Sequence, residues 1–147
     1  MPNEIAFWKT IKILSIIGIG LASYLFYNYL AYNIFSLPPL EVCNISSTIN
    51  CNASVKGDLA TFLGIPVSLF GFVGYFLILY SAVTRNKKLL LGMSAFGVLF
   101  CLRITILEIF FVRVYCPVCL ACQAIMLVIF GLAVRLNYFP SKKEASV

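Results

Sequence analysis

The sequence predicts an all-α membrane protein: a bundle of four transmembrane helices with a long outer loop between the first two. Of its 147 residues, 62% are hydrophobic and 11% are charged, whereas a soluble domain carries roughly a quarter charged residues. Four apolar segments follow one another along the chain, and each has the approximately 20 residues needed to cross a hydrocarbon core of roughly 30 Å. Inside lipid the backbone must satisfy its own hydrogen bonds, so such segments are helices.

The predicted helices span residues 10–35, 62–83, 89–111 and 117–136, and we expect residues 1–147 to form a single membrane-embedded domain. A cleaved signal peptide is an alternative for the first segment, because Gly20-Leu21-Ala22 resembles a small-residue cleavage site. The apolar run continues well past that site, which favours a retained helix.

The lysine and arginine residues predict the orientation of the bundle. Lys56 and Arg113 lie on one side of the helices, and Arg103 falls inside the third helix. The other eight lie on the opposite side: Lys9, Lys12, Arg85, Lys87, Lys88, Arg135, Lys142 and Lys143. Because cytoplasmic loops carry an excess of basic residues, we predict a multi-pass protein of the plasma or inner cell membrane with both termini cytoplasmic. The basic residues form no patch, so nucleic acid is not an expected partner.

This orientation places the loop of residues 36–61 outside the cytoplasm, where disulfides persist. Leu37-Pro38-Pro39-Leu40 ends the first helix, since proline cannot continue one. Cys43 and Cys51 flank a polar stretch that is rich in turn-forming residues. The pair can be a plain structural disulfide or a redox switch, and the loop by itself does not decide between them.

A second cysteine pair, Cys116-Pro117-Val118-Cys119, opens the last helix. Proline is suited to the first helical position, which predicts Cys116 at the N-cap and Cys119 one turn into the helix. The free N–H groups and the helix dipole there favour a thiolate. A Cys-x-x-Cys sequence at a helix start is typical of thiol–disulfide exchange sites, and the turn before it faces the same side as Cys43 and Cys51.

The two remaining cysteines, Cys101 and Cys122, are expected to be small buried hydrophobic residues. Cys122 extends the motif to Cys-x-x-Cys-x-x-Cys, which is compatible with an iron–sulfur cluster or a metal carrier. A four-thiolate site would need Cys101, which lies about 15 Å below the outer end of its helix at roughly 1.5 Å per residue. The chain contains no histidine, so we predict no metal site.

Two charged residues fall within the third predicted helix, and such residues are functional candidates in a membrane. Arg103 is expected to face the interior of the bundle. Glu108 shares a helix face with Cys101 and Thr105 and lies near the outer surface, where it can be solvated.

The order of these elements resembles the vitamin K epoxide reductase family, in its short prokaryotic form without a fused thioredoxin-like domain. The resemblance rests on the two cysteine pairs with their spacing, on Gly64-Ile65-Pro66 before the second helix and on Leu107-Glu108 late in the third. It covers residues 12–136.

The resemblance implies a four-helix bundle around a quinone of the ubiquinone, menaquinone or phylloquinone type. It also implies the oxidation of a secreted thioredoxin-like thiol protein, in support of disulfide bond formation. Carried over by position, Cys43 exchanges with the partner, Cys51 passes the electrons to Cys116, and Cys119 completes the transfer to the quinone.

Candidate quinone contacts are Phe62, Phe70 and Tyr75, together with the neighbouring Phe72, although these can equally be core or lipid-facing residues. Gln123 stands where animal members of the family carry a tyrosine, and its amide can hydrogen-bond a quinone oxygen. Gly57 replaces a serine or threonine of many members. Both departures bear on the quinone type and on epoxide reduction. Because prokaryotic members of the family generally serve disulfide formation, reduction of vitamin K or its epoxide is the less favoured variant.

Three other classes stay open. One is a non-enzymatic membrane protein with static disulfides, and a second is a metal carrier. The third is a disulfide bond formation protein of the B type, in which the two kinds of cysteine pair occur in the reverse order along the chain.

Overall fold

The computed structural model describes residues 2–38, 44–49, 51 and 61–139 of the chain. Four helices dominate these ranges: α1 (Pro2–Asn33), α2 (Val67–Val83), α3 (Lys87–Leu107) and α4 (Pro117–Tyr138). Two short strands, β1 (Thr61–Phe62) and β2 (Ile65–Pro66), precede α2. The helix α3 continues as a five-residue π-helical turn, Glu108–Val112.

Three helical stretches of the described chain are long and apolar enough to cross a membrane: Glu4–Asn33, Lys87–Val112 and Pro117–Tyr138. The helix α2 is also apolar but has 17 residues. Large apolar side chains lie exposed on the helix surfaces, among them Ile13, Phe76 and Leu99. Lipid solvates such a surface and water does not, so the described helices support the predicted membrane-embedded bundle.

The helix boundaries differ from the predicted ones where local interactions decide them. The helix α1 begins at Pro2 rather than residue 10 and ends at Asn33 rather than residue 35. The Asn86 side chain accepts a hydrogen bond from the Leu89 N–H at 3.1 Å, and this N-cap starts α3 two residues early. The helix α4 starts at Pro117 as predicted and continues to Tyr138.

The largest difference concerns residues 61–66, because the predicted second helix begins at residue 62 and α2 begins at Val67. Thr61 pairs with Pro66 and Phe62 pairs with Ile65 in an antiparallel hairpin. The two turn residues, Leu63 and Gly64, have φ angles of 54° and 81°. Two positive φ angles are typical of a type I′ turn, in which glycine is the favoured residue.

The four helices pack antiparallel in a closed ring, in which α1 and α3 each contact both α2 and α4. At one end, here called the basic end, Lys87 Nζ lies 3.0 Å from Glu4 Oε1. The Asn137 amide donates to the Lys87 carbonyl oxygen at 2.9 Å. These contacts join α1, α3 and α4 beside the 84–86 turn. The opposite end, here called the cysteine end, carries Cys51, Cys116 and the hairpin.

The hydrophobic core fills the half of the bundle nearer the basic end. Tyr75 closes it toward the cysteine end: its side chain is 1% exposed, and its hydroxyl donates to the Cys122 carbonyl oxygen at 2.7 Å. The Tyr75 ring lies directly against Gly18 of α1, where a Cβ atom would overlap it. The core residues are Trp8, Ile11, Tyr75, Ile78, Ala82, Leu90, Met126, Ile129, Ala133 and Leu136.

We expect Gly18→Ala to destabilise the protein by about 1–3 kcal/mol, because the added methyl group overpacks the α1–α2 contact against the buried Tyr75 ring. The measurement is the thermal unfolding midpoint in detergent, followed by circular dichroism. Gly20→Ala is the matched control, since no atom lies within 4 Å of the Cβ position there. Equal midpoints for the two variants would contradict the tight contact.

Candidate functional site

Cys116 lies at the N-cap of α4, as the sequence predicts, with Pro117 in the first helical position. Its Sγ atom accepts a hydrogen bond from the Cys119 N–H at 3.4 Å. The side chain of Cys116 therefore caps the helix that carries Cys119 in its first turn. A cysteine held in this way points its sulfur at the free N–H groups of the helix start, where negative charge is stabilised.

Cys51 lies beside this cap. Its Sγ atom is 3.5 Å from Cys116 Sγ, and the two side chains are buried with Leu25 of α1. Cys51 is disulfide-bonded. Cys43, the other predicted cysteine of the outer loop, lies outside the described residues. The structure thus brings together three of the four predicted catalytic cysteines.

Backbone contacts hold the loop before Cys51 against the turn before α4. The Tyr115 N–H donates to the Thr48 carbonyl oxygen at 2.8 Å, and Ile49 forms a parallel β-bridge with Tyr115. The Ser46 Oγ atom accepts from the Ile49 N–H at 3.1 Å and closes a tight turn. Ile49 lies two residues before Cys51 and Tyr115 directly precedes Cys116, so this bridge holds the two cysteine-bearing segments side by side.

A pocket opens within the cysteine half of the bundle and contains about 920 Å³ of space, counting its open mouth. Cys119 borders this pocket, so the first turn of α4 contacts both Cys51 through Cys116 and the pocket through Cys119. Most lining residues are apolar or aromatic. The lining consists of Ala22, Leu25, Val67, Ser68, Phe70, Gly71, Gly74, Tyr75, Met93, Phe96, Gly97, Phe100, Cys101, Ile104, Thr105, Glu108, Cys119, Cys122 and Met126.

Aromatic rings form one wall of the pocket. The ring centroids of Phe70 and Phe100 are 5.2 Å apart, and Phe96 stacks on Phe100 at 6.0 Å. Phe62 of β1 packs edge-on against Phe70 and Phe100 at 6.0 and 5.8 Å. The hairpin therefore supports the wall from the cysteine end.

The predicted quinone contacts fall into two groups. Phe70 and Tyr75 border the pocket directly. Phe62 contacts the lining rings as described, and the Gln123 Oε1 atom lies 3.2 Å from the hydroxyl of the lining residue Thr105. Two of the four residues therefore line the pocket and the other two contact lining residues, and the part of all four in binding a quinone stays a prediction.

The expectation that Arg103 faces the bundle interior is wrong. Its side chain is exposed, and its guanidinium carbon lies 4.7 Å from the centroid of the Phe62 ring. The hairpin provides this aromatic partner, and the predicted helix over residues 62–83 gave no indication of it. A cation–π contact explains how the arginine is accommodated on the outside of the bundle.

Glu108 is buried and borders the pocket, with only 3% of its surface exposed. Solvation at the outer surface, the alternative that the sequence left open, is therefore wrong for this residue. The face shared by Cys101, Thr105 and Glu108 is confirmed, since all three line the pocket.

Cys101 and Cys122 are half-buried pocket residues. Within the described ranges, no group of three or more His, Cys, Asp or Glu residues could hold a metal ion.

A comparison with protein-family models matches residues 9–134 to the vitamin K epoxide reductase family. The matched range contains all four helices almost completely and every cysteine of the chain. No curated protein matches the chain.

We expect Ser46→Ala to slow the formation of a disulfide between Cys51 and Cys116, because it removes the hydroxyl that closes the turn before Cys51. Loss of a hydrogen bond worth about 1 kcal/mol corresponds to a rate reduction of about fivefold. The measurement uses a variant with Cys51 and Cys116 as its only cysteines and follows the formation of their disulfide by non-reducing electrophoresis after a mild oxidant is added. The adjacent exposed Ser47→Ala is the control, and equal rates for the two variants would speak against the turn.

Proposed function

The chain belongs to the vitamin K epoxide reductase family, a family of membrane-embedded oxidoreductases, and on that premise we propose that it is a quinone-linked thiol oxidoreductase. Electrons pass from a secreted thioredoxin-like protein through Cys43 and Cys51, then through Cys116 and Cys119, to a membrane quinone. The single observation that carries this proposal is the 3.5 Å distance between Cys51 Sγ and Cys116 Sγ, because two sulfurs must come close for thiol–disulfide exchange.

The pocket residues fit a quinone. The aromatic wall and the methionines Met93 and Met126 offer an apolar surface to a ring and its tail, while Ser68 and Glu108 bring polar atoms to the same space. Ligand sites of this kind are mostly apolar with a few placed polar groups. A bound quinone supplies a two-electron acceptor beside Cys119.

The proposed relay consists of two thiol–disulfide exchanges. In the relay, the Cys51 thiolate attacks a Cys116–Cys119 disulfide and forms a mixed disulfide with Cys116. Cys43 then attacks Cys51, which leaves a Cys43–Cys51 disulfide and the dithiol of Cys116 and Cys119. Transfer of two electrons from this dithiol to the acceptor restores the Cys116–Cys119 disulfide.

Each exchange conserves electrons: one disulfide breaks, one forms, and one electron pair moves inward. The partner's dithiol becomes a disulfide, and two electrons reach the acceptor. For a two-electron couple, about 30 mV corresponds to about 1.4 kcal/mol, so modest potential differences make each exchange effectively one-way. The N-cap position of Cys116 contributes by stabilising a thiolate when the sulfur is the leaving group.

We also propose an orientation of the bundle in the membrane. The basic end carries Lys87 and Lys9, and it faces the cytoplasm together with both termini under the positive-inside rule. The cysteine end then faces the outside, where a secreted thiol protein reaches the loop of Cys43 and Cys51. The Tyr115–Thr48 contact lies on this side, so the loop meets its partner on the side opposite the basic turn.

Removal of Cys43 is expected to trap the relay at its mixed disulfide. Without Cys43, the Cys51–Cys116 bond that forms when Cys51 attacks the inner disulfide persists, because the sulfur that would displace Cys116 is missing. We expect mass spectrometry of the non-reduced Cys43→Ala protein to find a peptide pair joined through Cys51 and Cys116. The double variant Cys43→Ala/Cys51→Ala is the control and cannot form it. Absence of the cross-linked pair from Cys43→Ala would contradict the relay.

The second test is quinone reduction by the purified protein in detergent with dithiothreitol as reductant, using ubiquinone and menaquinone analogues. We expect Cys119→Ala to abolish the reaction and Cys43→Ala to retain part of it, because a small thiol can reduce the inner pair directly. The two variants control for each other, since each loses one cysteine. Wild-type protein that reduces no quinone, with cysteines inert to dithiothreitol, would favour a non-enzymatic protein with structural disulfides.

Reduction of vitamin K or its epoxide is the second candidate function, and the family match favours it. The same pocket and the same inner cysteines would serve it. Including vitamin K and vitamin K epoxide among the acceptors in the assay distinguishes it from the quinone-linked function.

A further inference from the structure

Glu108 occupies an unusual position for a carboxyl group. It lies within an apolar helical span, it is buried, and it borders the pocket that Cys119 also borders. Glu4, the other acidic residue in the described part of the chain, lies at the basic end and contacts Lys87. Placing an ionisable side chain inside a membrane costs free energy, and such residues are usually functional. Glu108 is therefore a candidate functional residue.

The backbone at Glu108 is also unusual. Glu108 is the first residue of the π-helical turn Glu108–Val112. Its carbonyl oxygen accepts a hydrogen bond from the N–H of Arg113, and Arg113 has a left-handed φ of 55°. π-Helical turns occur frequently at functional sites, because they re-aim side chains relative to a regular helix. Here the turn ends α3, and Glu108 borders the same pocket as Cys119.

The other titratable groups at the pocket are less suited to moving a proton to an acceptor. Tyr75 donates its hydroxyl hydrogen to the Cys122 carbonyl oxygen. The chain has no histidine, and α1 contributes Ala22 and Leu25 to the lining. The titratable lining residues are Tyr75 from α2, Cys101 and Glu108 from α3 and its π-helical turn, and Cys119 and Cys122 from α4. In the described lining, Glu108 is the one carboxyl group.

We infer that Glu108 carries a proton in the reaction, accepting it from the Cys119 thiol and delivering it to an oxygen of the acceptor in the pocket. This inference rests on the proposed function. Oxidation of Cys116 and Cys119 to a disulfide releases two electrons and two protons, and reduction of a quinone to a quinol consumes two of each. Glu108 carries one proton, and the second is exchanged with solvent at the mouth of the pocket.

The test uses Glu108→Gln, which keeps the shape of the side chain but removes the carboxyl group that would carry the proton. It measures the two halves of the reaction separately: the exchange between the cysteines and the reduction of the quinone. We expect the maximal rate of quinone reduction to fall about a hundredfold, the lower part of the range for positioned acid–base groups. The quinone concentration at half-maximal rate should change less than about threefold. Formation of the Cys51–Cys116 mixed disulfide in a Cys43→Ala background, started from the oxidised inner pair with no quinone added, should keep the rate that it has with Glu108 in place.

Two further variants complete the experiment. Glu108→Asp keeps the carboxyl group and is expected to recover a substantial part of the lost rate. Glu4→Gln removes the carboxyl group at the basic end and is expected to leave both halves of the reaction unchanged. Thermal midpoints in detergent are measured for each variant alongside the rates.

The outcomes are distinct. Quinone reduction by Glu108→Gln at the wild-type rate overturns the inference and leaves the proposed function standing. A parallel loss of quinone reduction, mixed-disulfide formation and thermal stability in both Glu108 variants also overturns it, since it indicates a structural role. Wild-type protein that forms the mixed disulfide but reduces no quinone overturns the proposed function, and the role of Glu108 falls with it.

Discussion

The hydrogen bond from the Tyr115 N–H to the Thr48 carbonyl oxygen is the contact on which the site depends. It joins two segments that are far apart in sequence and lie beside two cysteines. The β-bridge of Ile49 with Tyr115 extends the same contact. As a result the sulfurs of Cys51 and Cys116 meet in a buried position. In the proposed relay, this burial keeps thiols in the solvent away from the two sulfurs.

The two halves of the bundle differ in how tightly they are packed. The basic half is tightly packed around residues such as Ile78 and Leu90, and the cysteine half is open. Tyr75 divides them, because it belongs to the core and also borders the pocket. The Tyr75 hydroxyl bond to the Cys122 carbonyl joins α2 to the first turns of α4, the helix that also carries Cys116 and Cys119. The packed half thus provides a rigid base for the cysteine-bearing turn.

The first turn of α4 connects the two parts of the site. Cys116 faces the loop of Cys51, and Cys119 faces the pocket. One helical turn therefore separates the sulfur next to Cys51 from the cysteine that borders the pocket. The π-helical turn that follows α3 carries Glu108, which borders the same pocket as Cys119. Under the proposed function, the pocket is thus bordered by a cysteine that moves electrons and by a carboxyl group that moves a proton.

The sequence by itself determined the number of helices, the start of α4 at Pro117 and the capping role of Cys116, because hydropathy and helix-start chemistry are local properties. It also indicated the family. The hairpin at Phe62, the exposed position of Arg103 and the burial of Glu108 were decided by tertiary structure. The hairpin depends on pairing across a turn and on packing against α3. The exposure of Arg103 and the burial of Glu108 depend on how the end of α3 is oriented. A local pattern specifies which residues form a helix, but neighbouring helices decide which of its faces is buried.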